Sequence, residues 1–166
     1  MLRGMTADVY NALNRQIKLE FEAAFLYLRM SVSMQEFGLP GFAHWLSRQF
    51  HEECAHALRL IRHMETRREQ PLIPAVTPPE STWGSPLEAF EQVLAHERMV
   101  THAVHELVSL ARRDSDFATE QLMMWFVQEQ LQEENDAADV VDSLRLGEGS
   151  PAGLLRVDNR LAKRAA

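Results

Sequence analysis

Glu53 and His56, in the stretch FHEECAHALRL at residues 50–60, form a pair that could bind a metal ion. Read at helical spacing, they fall on the same stripe as Phe50 and Leu60, where an amphipathic helix places its apolar side chains. Residues at i and i+3 lie on one face of a helix, so a carboxylate and an imidazole there can reach a common point. A single Glu-x-x-His pair is weak evidence, since a chain with this many Glu and His residues is expected to contain one by chance.

Polar residues interrupt the apolar stripes of three further helical segments in the same way. Glu20 and Glu97 each lie in the middle of an apolar stripe, and Gln130 and Glu133 follow an apolar run in the last long segment. For one such residue, the ordinary interpretation is a satisfied ion pair or a misassigned helix face. Matching residues on four segments would make that interpretation a series of coincidences, so the set favours a shared site.

The spacing of these residues repeats along the chain. Glu53 follows Glu20 by 33 positions, and Gln130 follows Glu97 by 33 positions. A shift of 77 positions superimposes the first set on the second, in the pairs Glu20–Glu97, Glu52–Glu129, Glu53–Gln130 and His56–Glu133. Two helical hairpins therefore repeat one pattern, in which a single acid is followed by a polar pair at i and i+3.

Metal ions would explain why several acids share an apolar interior. An unpaired buried carboxylate is costly, or its pKa rises until the group is protonated. Two divalent cations would neutralise four carboxylates, and oxygen ligands with one imidazole suit iron or manganese better than a soft metal. Di-iron carboxylate bundles take a Glu from each of two helices and Glu-x-x-His from each of the other two. Glu53 and His56 fit that pattern and Gln130 with Glu133 departs from it, which predicts two unequal metal sites.

Glycine and proline divide the chain into helical segments. GLPG at 38–41 and DSD at 114–116 are short breaks, whereas EQPLIPAVTPPESTWGSP holds five of the seven prolines and cannot be helical. Helices are predicted at about residues 6–37, 42–68, 86–113, 117–146 and 152–163. Because short connections make antiparallel neighbours, the long connection would let helices 2 and 3 run parallel. The prediction is an all-α four-helix bundle with one long crossover between helices 2 and 3, plus a short C-terminal fifth helix.

The composition suits one domain spanning residues 1–166, with the bundle at about residues 6–146. The net charge of −7 argues against nucleic acid or an anionic membrane as a partner and is compatible with binding cations. Cys54 is the single cysteine, which excludes an intrachain disulfide and a Cys-x-x-Cys zinc site. No segment reads as a signal peptide or a membrane span, so a cytoplasmic location is expected.

Four stretches resemble the bundle helices of the bacterial non-haem ferritins, namely IKLEFEAAFLYLRMS, FHEECAHALRLIRHM, AHERMVTHAVHELVSLA and MMWFVQEQLQEENDAADVVDSL. GEGSPAGLLRVDNRLAK resembles their short fifth helix, so the resemblance covers nearly the whole chain. It implies a ferroxidase, which oxidises Fe(II) at a di-iron centre with O₂ or H₂O₂. It also implies a homo-oligomeric shell of 24 subunits that stores Fe(III) as a mineral.

The resemblance also implies the role of each ligand. One iron ion would be held by Glu20, Glu53 and His56, and the second by Glu97 and Glu133, with Glu53 bridging the two. Gln130 matches a glutamine that the family keeps beside the centre. Tyr27 matches a tyrosine near the centre, although an ordinary core aromatic with a satisfied hydroxyl explains it equally well.

Bacterial ferritins of this type often have a third iron site next to the pair. Its positions here are Glu52, Glu129, Gln132 and Glu133, and Gln132 stands where a glutamate is usual. A neutral amide binds a cation less strongly than a carboxylate, so the expected third site is weak or altered. The alternative interpretation of Glu52 and Glu129 is that they are solvated acids.

Other ferritin-like proteins are the alternatives. Haem-binding bacterioferritins have a histidine in place of Glu133 and a methionine after the Glu of Glu-x-x-His, where this chain has Cys54, so no haem is predicted. Rubrerythrin-type peroxidases usually carry a rubredoxin-like iron site, which a single cysteine cannot form. A storage subunit with little oxidase activity would lack part of the ligand set, and Dps-like miniferritins take their ligands from two subunits.

Two further groups of polar residues lie outside the ligand pattern. The resemblance places Asp116 and Glu120 at the threefold pores, where acids could attract Fe(II); acids at a helix start are also favoured by the helix dipole. The remaining histidines lack an i+3 carboxylate in the ligand pattern and are expected at the surface or in interfaces: His44, His51, His63, His96, His102 and His105.

Overall fold

The computed structural model describes residues 4–77 and 82–163, and within these residues the regular structure is helical, with no β-strand. The helices are α1 (Ala7–Glu36), α2 (Pro40–Thr66), α3 (Pro86–Arg113), α4 (Phe117–Leu146) and α5 (Pro151–Leu161). The predicted all-α fold with a short fifth helix is confirmed, and the helix bounds differ from the predicted ones by a few residues.

Side-chain caps and turns define the ends of the long helices. Thr6 accepts a hydrogen bond from the Val9 backbone N–H at the start of α1, and Ser85 accepts one from Glu88 at the start of α3, where Pro86 is the first helical residue. Gly38, at φ 72°, makes the left-handed turn between α1 and α2 that a side chain would strain. These short turns fix α1–α2 and α3–α4 as antiparallel hairpins.

Polar contacts at one end of the bundle establish how the two hairpins are arranged. The Thr6 hydroxyl donates to Asp114 over 2.5 Å, so the start of α1 lies beside the end of α3. Arg67, just after α2, forms an ion pair of 2.6 Å with Asp116, just before α4. The helices α1 and α3 are therefore antiparallel, as are α2 and α4, and α2 runs parallel to α3 as predicted.

The connection between α2 and α3 begins alongside α1. The Tyr10 hydroxyl donates to the Gln70 carbonyl over 2.8 Å, and the Leu72 backbone N–H donates to Asn14 Oδ1 over 2.7 Å. The described parts of the connection contain no helix. The predicted non-helical connection also includes residues 78–81, which lie outside the described residues.

The interior consists of two apolar clusters with a polar layer between them. One cluster lies toward the α5 end and includes Tyr27, Phe42 and Phe90; the other lies toward the opposite end and includes Leu13 and Phe126. The polar residues in the middle of each bundle helix fall between these clusters. No helix of residues 4–77 and 82–163 has both the length and the apolar character to cross a membrane.

The short helix α5 supplies the cap that α2 lacks. Leu39, the residue before α2, makes no side-chain capping bond. Instead, Asp158 of α5 accepts hydrogen bonds from the backbone N–H groups of Gly41 and Phe42 over 2.8 and 3.0 Å. A Cβ atom on Gly41 would lie 1.8 Å from the Asp158 carbonyl oxygen, so this close approach requires a glycine. The helix α2 therefore begins two residues earlier than the sequence predicts.

Candidate metal centre

Glu20, Glu53 and His56 meet in the polar layer, where α1 packs against α2. The Nδ1 atom of His56 lies 3.0 Å from Glu53 Oε2 and 4.0 Å from Glu20 Oε2. All three side chains are buried, and one ligand-type atom of each lies within 4.8 Å of the others. Two carboxylates and an imidazole at this separation match the requirement of a divalent metal ion with oxygen and nitrogen ligands.

Glu53 belongs to a second group as well, with Glu97 of α3 and Glu133 of α4. These three carboxylates are buried and also offer atoms within 4.8 Å of one another. Glu53 therefore lies between two neighbouring sets of ligand-type atoms. This is the position that a bridging carboxylate needs when two metal ions are bound side by side.

Two buried glutamines hold carboxylates of the cluster in place. Gln16 donates to Glu20 Oε1 over 2.8 Å, and Gln49 donates to Glu133 Oε2 over 2.5 Å. Sequence reasoning missed both residues. A signal was present, because Gln16 and Gln49 are 33 positions apart and each precedes an acid of the pattern, Glu20 or Glu53, by four positions.

Tyr27 and Gln130 both donate to Glu97. The Tyr27 hydroxyl donates to Glu97 Oε1, and Gln130 Nε2 donates to Glu97 Oε2 over 3.1 Å. Tyr27 is fully buried, so the carboxylate also satisfies a hydroxyl that would otherwise lie in an apolar environment. The amide nitrogen of Gln130 therefore faces the Glu97 carboxylate. The amide oxygen is the atom of this side chain that could bind a cation.

Burial raises the pKa of each carboxyl group in the cluster. For Glu20 the second cause is the charge of Glu53, and for Glu53 it is the charge of Glu97. Burial and the Glu97 charge raise the pKa of Glu133 to about 8. Burial also raises the pKa of Glu97, against the hydrogen bonds from Tyr27 and Gln130. Burial therefore favours the protonated form of each of these acids, and a bound cation would favour the ionised form.

Glu20 Oε2 gives a direct test of whether a cation fits the cluster. This atom is buried, has no hydrogen-bond partner among the described residues and faces His56 Nδ1 over 4.0 Å. A buried carboxylate oxygen without a donor is costly. A metal ion between Glu20, Glu53 and His56 would satisfy it, so the donor set and its geometry fit a divalent ion.

The aromatic residues of α4 close the centre on the side of His56. The ring of Trp125 lies at 5.5 Å and that of Phe126 at 5.6 Å from the imidazole, both edge-on. The guanidinium of Arg59 lies 3.8 Å above the Trp125 ring, a cation–π contact. These rings fix the orientation of the imidazole and separate it from solvent.

The residues expected to form a third iron site lie in different surroundings. Among the described residues, the compact groups of ligand-type atoms contain neither Glu52 nor Glu129. Glu52 is half-buried and lies 3.8 Å from Arg48, and the exposed Gln132 donates to Asp136 over 2.6 Å. Among the three acids of the expected site, Glu133 belongs to a compact group of ligand-type atoms, and the third site stays a prediction.

The acids at the start of α4 are held by arginines. Asp116 caps α4 through the Thr119 backbone N–H and pairs with Arg67, and these contacts lower its pKa although its partial burial would raise it. Glu120 pairs with Arg112 over 2.6 Å. These contacts favour the helix-start interpretation of both acids.

Two of the histidines expected at the surface are partly enclosed. His63 lies 2.9 Å from the buried Thr119 hydroxyl, and burial lowers its pKa. His96 packs edge-on against Tyr27, and burial lowers its pKa to about 4. The sequence pattern gave no sign of either contact. Cys54 is half-buried, and burial followed by the Glu53 charge raises the pKa of its thiol.

Comparison with known proteins identifies the family of this chain. The family model of the ferritin-like domain matches residues 10–147. The chain is 36% identical over 160 residues to a bacterial non-heme ferritin of Bacteroides fragilis, covering 96% of this chain and 99% of that protein. It is 30% identical over 155 residues to a bacterial non-heme ferritin of Escherichia coli O157:H7, covering 93% and 94%.

Solved structures give the same result. An open pore ferritin from the hyperthermophilic archaeon Archaeoglobus fulgidus superimposes with a TM-score of 0.94 at 40% identity, over 97% of this chain and 98% of that chain. A closed form of that ferritin, engineered by mutagenesis, superimposes with a TM-score of 0.94 at 41% identity, over 98% and 99%. Because the family model covers most of the chain and the relatives match it nearly end to end, this chain belongs to the ferritin family, whose members store iron.

Proposed function

We propose that this chain is a ferroxidase subunit that oxidises Fe(II) at the buried centre and stores the ferric product inside a shell of identical subunits. The observation that carries the proposal is the sharing of Glu53 between two compact ligand groups, one with Glu20 and His56, the other with Glu97 and Glu133. Such an arrangement suits two metal ions held by a common carboxylate. Iron is the substrate, and the carboxylate ligands favour its more highly charged oxidation state.

The reaction is a paired one-electron oxidation. Two Fe(II) ions each lose one electron, and one O₂ takes both electrons with two protons to give H₂O₂. With H₂O₂ as the oxidant, the same two electrons and two protons break the O–O bond and give two molecules of water. Holding two ions side by side lets one oxidant molecule receive both electrons, so that no one-electron product is released.

The protein residues bind, orient and transfer protons in this scheme. Glu20, Glu53 and His56 would hold one Fe(II) ion, and Glu97 with Glu133 the other. Cations bound by these carboxyl groups would favour their ionised form and so release protons. The glutamines hydrogen-bonded to the cluster fix the carboxylates in orientations that suit ion binding, and Tyr27 does the same for Glu97.

Self-assembly supports storage of the product. The structural relatives are described as open pore and closed ferritins, and we extend the family's assembly of 24 subunits to this chain, in the cytoplasm. Phe25, Leu28 and Val32 lie on one face of α1 and are exposed by 41%, 37% and 48%. Exposed apolar residues grouped on a helix face are typical of a surface that another copy covers.

The proposal is tested by aerobic Fe(II) oxidation in a Glu53→Ala/His56→Ala double variant. We expect the rate to fall to that of Fe(II) in buffer, because the shared carboxylate and the imidazole are both lost. His102→Ala/Glu106→Ala is the matched control, since it removes an exposed His–Glu pair, 3.8 Å apart, elsewhere in the chain. Oxidation that is no slower in the Glu53/His56 variant would contradict the assignment of the centre.

Native mass and iron content test the storage part separately. We expect a large closed oligomer that retains iron after aerobic loading. A monomer or dimer would contradict the proposed shell. The oxidation chemistry of the centre would still be tested by the rate measurement on the double variant.

A further inference from the structure

Trp125 of α4 contacts both a proposed metal ligand and a cation. Its indole lies edge-on to the His56 imidazole, with ring centroids 5.5 Å apart, and edge-on to Phe126, with centroids 5.0 Å apart. The Arg59 guanidinium lies 3.8 Å from the centroid of the same indole, over the ring face. His56 and Arg59 are three positions apart on α2, so two successive turns of that helix meet one side chain of the facing helix.

Arg59 differs from several other arginines of the chain in what it contacts. Arg67 pairs with Asp116 over 2.6 Å, and Arg112 pairs with Glu120 over 2.6 Å. Arg59 is exposed, forms no ion pair with a residue that the structure describes, and lies over the indole. In this position the guanidinium gains a cation–π interaction, and its methylene groups can cover apolar surface.

Charge alone gives no reason for a cation in this place. A metal ion held by Glu20, Glu53 and His56 is positive, so the Arg59 guanidinium would repel it. A benefit from Arg59 to the centre therefore has to come from packing. An imidazole held in one orientation binds a metal ion more tightly than one that can turn, and the residues around a ligand supply this support.

We propose that Arg59 is a positioning residue of the centre, whose guanidinium holds the Trp125 indole against His56 and so fixes the imidazole for metal binding. The inference rests on the proposed function, because His56 is one of the ligands of that centre. Arg59 itself touches neither the metal ion nor the oxidant. It acts through the half-buried indole, which connects an exposed side chain of α2 to the orientation of a buried one.

Co(II) binding to the full-length, metal-free protein separates this role from a direct effect of charge. Co(II) accepts oxygen and nitrogen ligands, and its visible absorption reports coordination. The ion whose binding is lost in His56→Ala reports on this ligand. If Arg59 positions the imidazole, Arg59→Ala should weaken the binding of this ion, by about threefold for the loss of one exposed cation–π contact. A direct effect of charge would instead tighten binding, because a repelling cation is removed.

A double-mutant cycle with Trp125→Leu tests whether the effect passes through the indole. Arg59→Ala should weaken Co(II) binding in the wild type and leave it unchanged in the Trp125→Leu background. Arg59→Lys keeps the charge and a cation–π contact, so it should bind Co(II) as the wild type does. Arg62→Ala is the matched control, because it removes another exposed arginine of α2, three positions further along, and it should also bind as the wild type does.

Three results would overturn the inference while the proposed function stands. They are unchanged or tighter binding in Arg59→Ala, an equal loss of affinity in the Trp125→Leu background, and an equal loss in Arg62→Ala. If His56→Ala lost no Co(II) ion, the proposed function would be wrong, and the inference with it.

Discussion

Asp158 and Glu20 are both buried carboxylates, but they differ in the hydrogen bonds that they accept. Asp158, at the joint between α5 and α2, accepts two backbone N–H groups over 2.8 and 3.0 Å at the start of a helix. Glu20, in the centre of the bundle, receives one hydrogen bond, from Gln16, and leaves its second oxygen without a partner. The helix dipole favours the Asp158 charge, whereas the Glu53 charge opposes that of Glu20.

The difference separates a buried acid whose carboxylate the protein's own donors satisfy from one that they satisfy only in part. Burial alone does not separate them, since Asp158 is 6% exposed and Glu20 is 0% exposed. What separates them is whether the protein itself supplies the donors that the carboxylate needs. At the joint it does, and the carboxylate fastens one helix to another. At the centre it does so only in part, since Glu20 Oε2 has no donor and remains available to a cation.

The largest expected effect is stabilisation of the centre by metal. At a free Co(II) concentration about a thousandfold above the dissociation constant, each bound ion adds about 4 kcal/mol to the free energy of unfolding. Thermal unfolding with and without Co(II) measures this effect, and Glu53→Ala should abolish most of it. Asp158→Asn should keep the effect, because the joint lies outside the centre. An equal stabilisation of Glu53→Ala would remove the distinction between the two regions.

Gly41→Ala should cause the next largest change, at the joint. The added Cβ would lie 1.8 Å from the Asp158 carbonyl oxygen, so α5 has to move away from α2. We expect a loss of about 3 kcal/mol in the free energy of unfolding, and faster proteolysis within α5. Gly4→Ala is the control, because no atom lies within 4 Å of a Cβ added there. Unchanged stability in Gly41→Ala would show that the joint is loosely packed.

Removing each acid should change stability in opposite directions. Asp158→Ala leaves two backbone N–H groups at the start of α2 without their acceptor, and we expect a loss of about 2 kcal/mol. Glu20→Gln replaces a poorly satisfied buried carboxyl group by an amide of the same shape, and the metal-free protein should gain about 1 kcal/mol. Chemical unfolding of the metal-free variants measures both. Two changes of the same sign would contradict the comparison.

A further expected effect is a dependence of the stability of the metal-free protein on pH. Because burial raises the pKa of Glu133 from 4.5 to about 8, the folded state binds more protons than the unfolded state between these values. Its free energy of unfolding should therefore fall as pH rises from 5 to 8, by at most about 1.4 kcal/mol per pH unit for each such group. Saturating Co(II) should reverse this slope, and Glu133→Gln should reduce it. A rise in stability across this range without metal would contradict the assignment.

The sequence was sufficient to predict most of the fold. Proline and glycine at the breaks, together with Ser85 before Pro86, marked the helix ends closely because these signals act within a few residues. The acids on apolar stripes indicated a shared site, and the 33-position spacing connected Glu20 with Glu53 and Glu97 with Gln130. Periodicity succeeds here because a helix converts sequence spacing into a common face.

Other features depended on contacts between distant segments. The capping of α2 by Asp158 joins residues 117 positions apart, and no local pattern in α5 indicates it. Gln49 and Arg48 are adjacent in sequence, yet one holds Glu133 and the other pairs with Glu52. Helical periodicity places such residues on a face without saying which atoms of another helix oppose them.

The sequence by itself determined the all-α architecture, the positions of the acids on the inner faces of the helices and the family resemblance. Tertiary structure alone decided that Glu53 lies in both ligand groups, that Glu20 keeps a free oxygen and that Glu52 has an arginine partner. The physical reason is that hydrophobic spacing fixes which side of a helix is buried, whereas the number of donors around a buried carboxylate depends on all the helices packed against it.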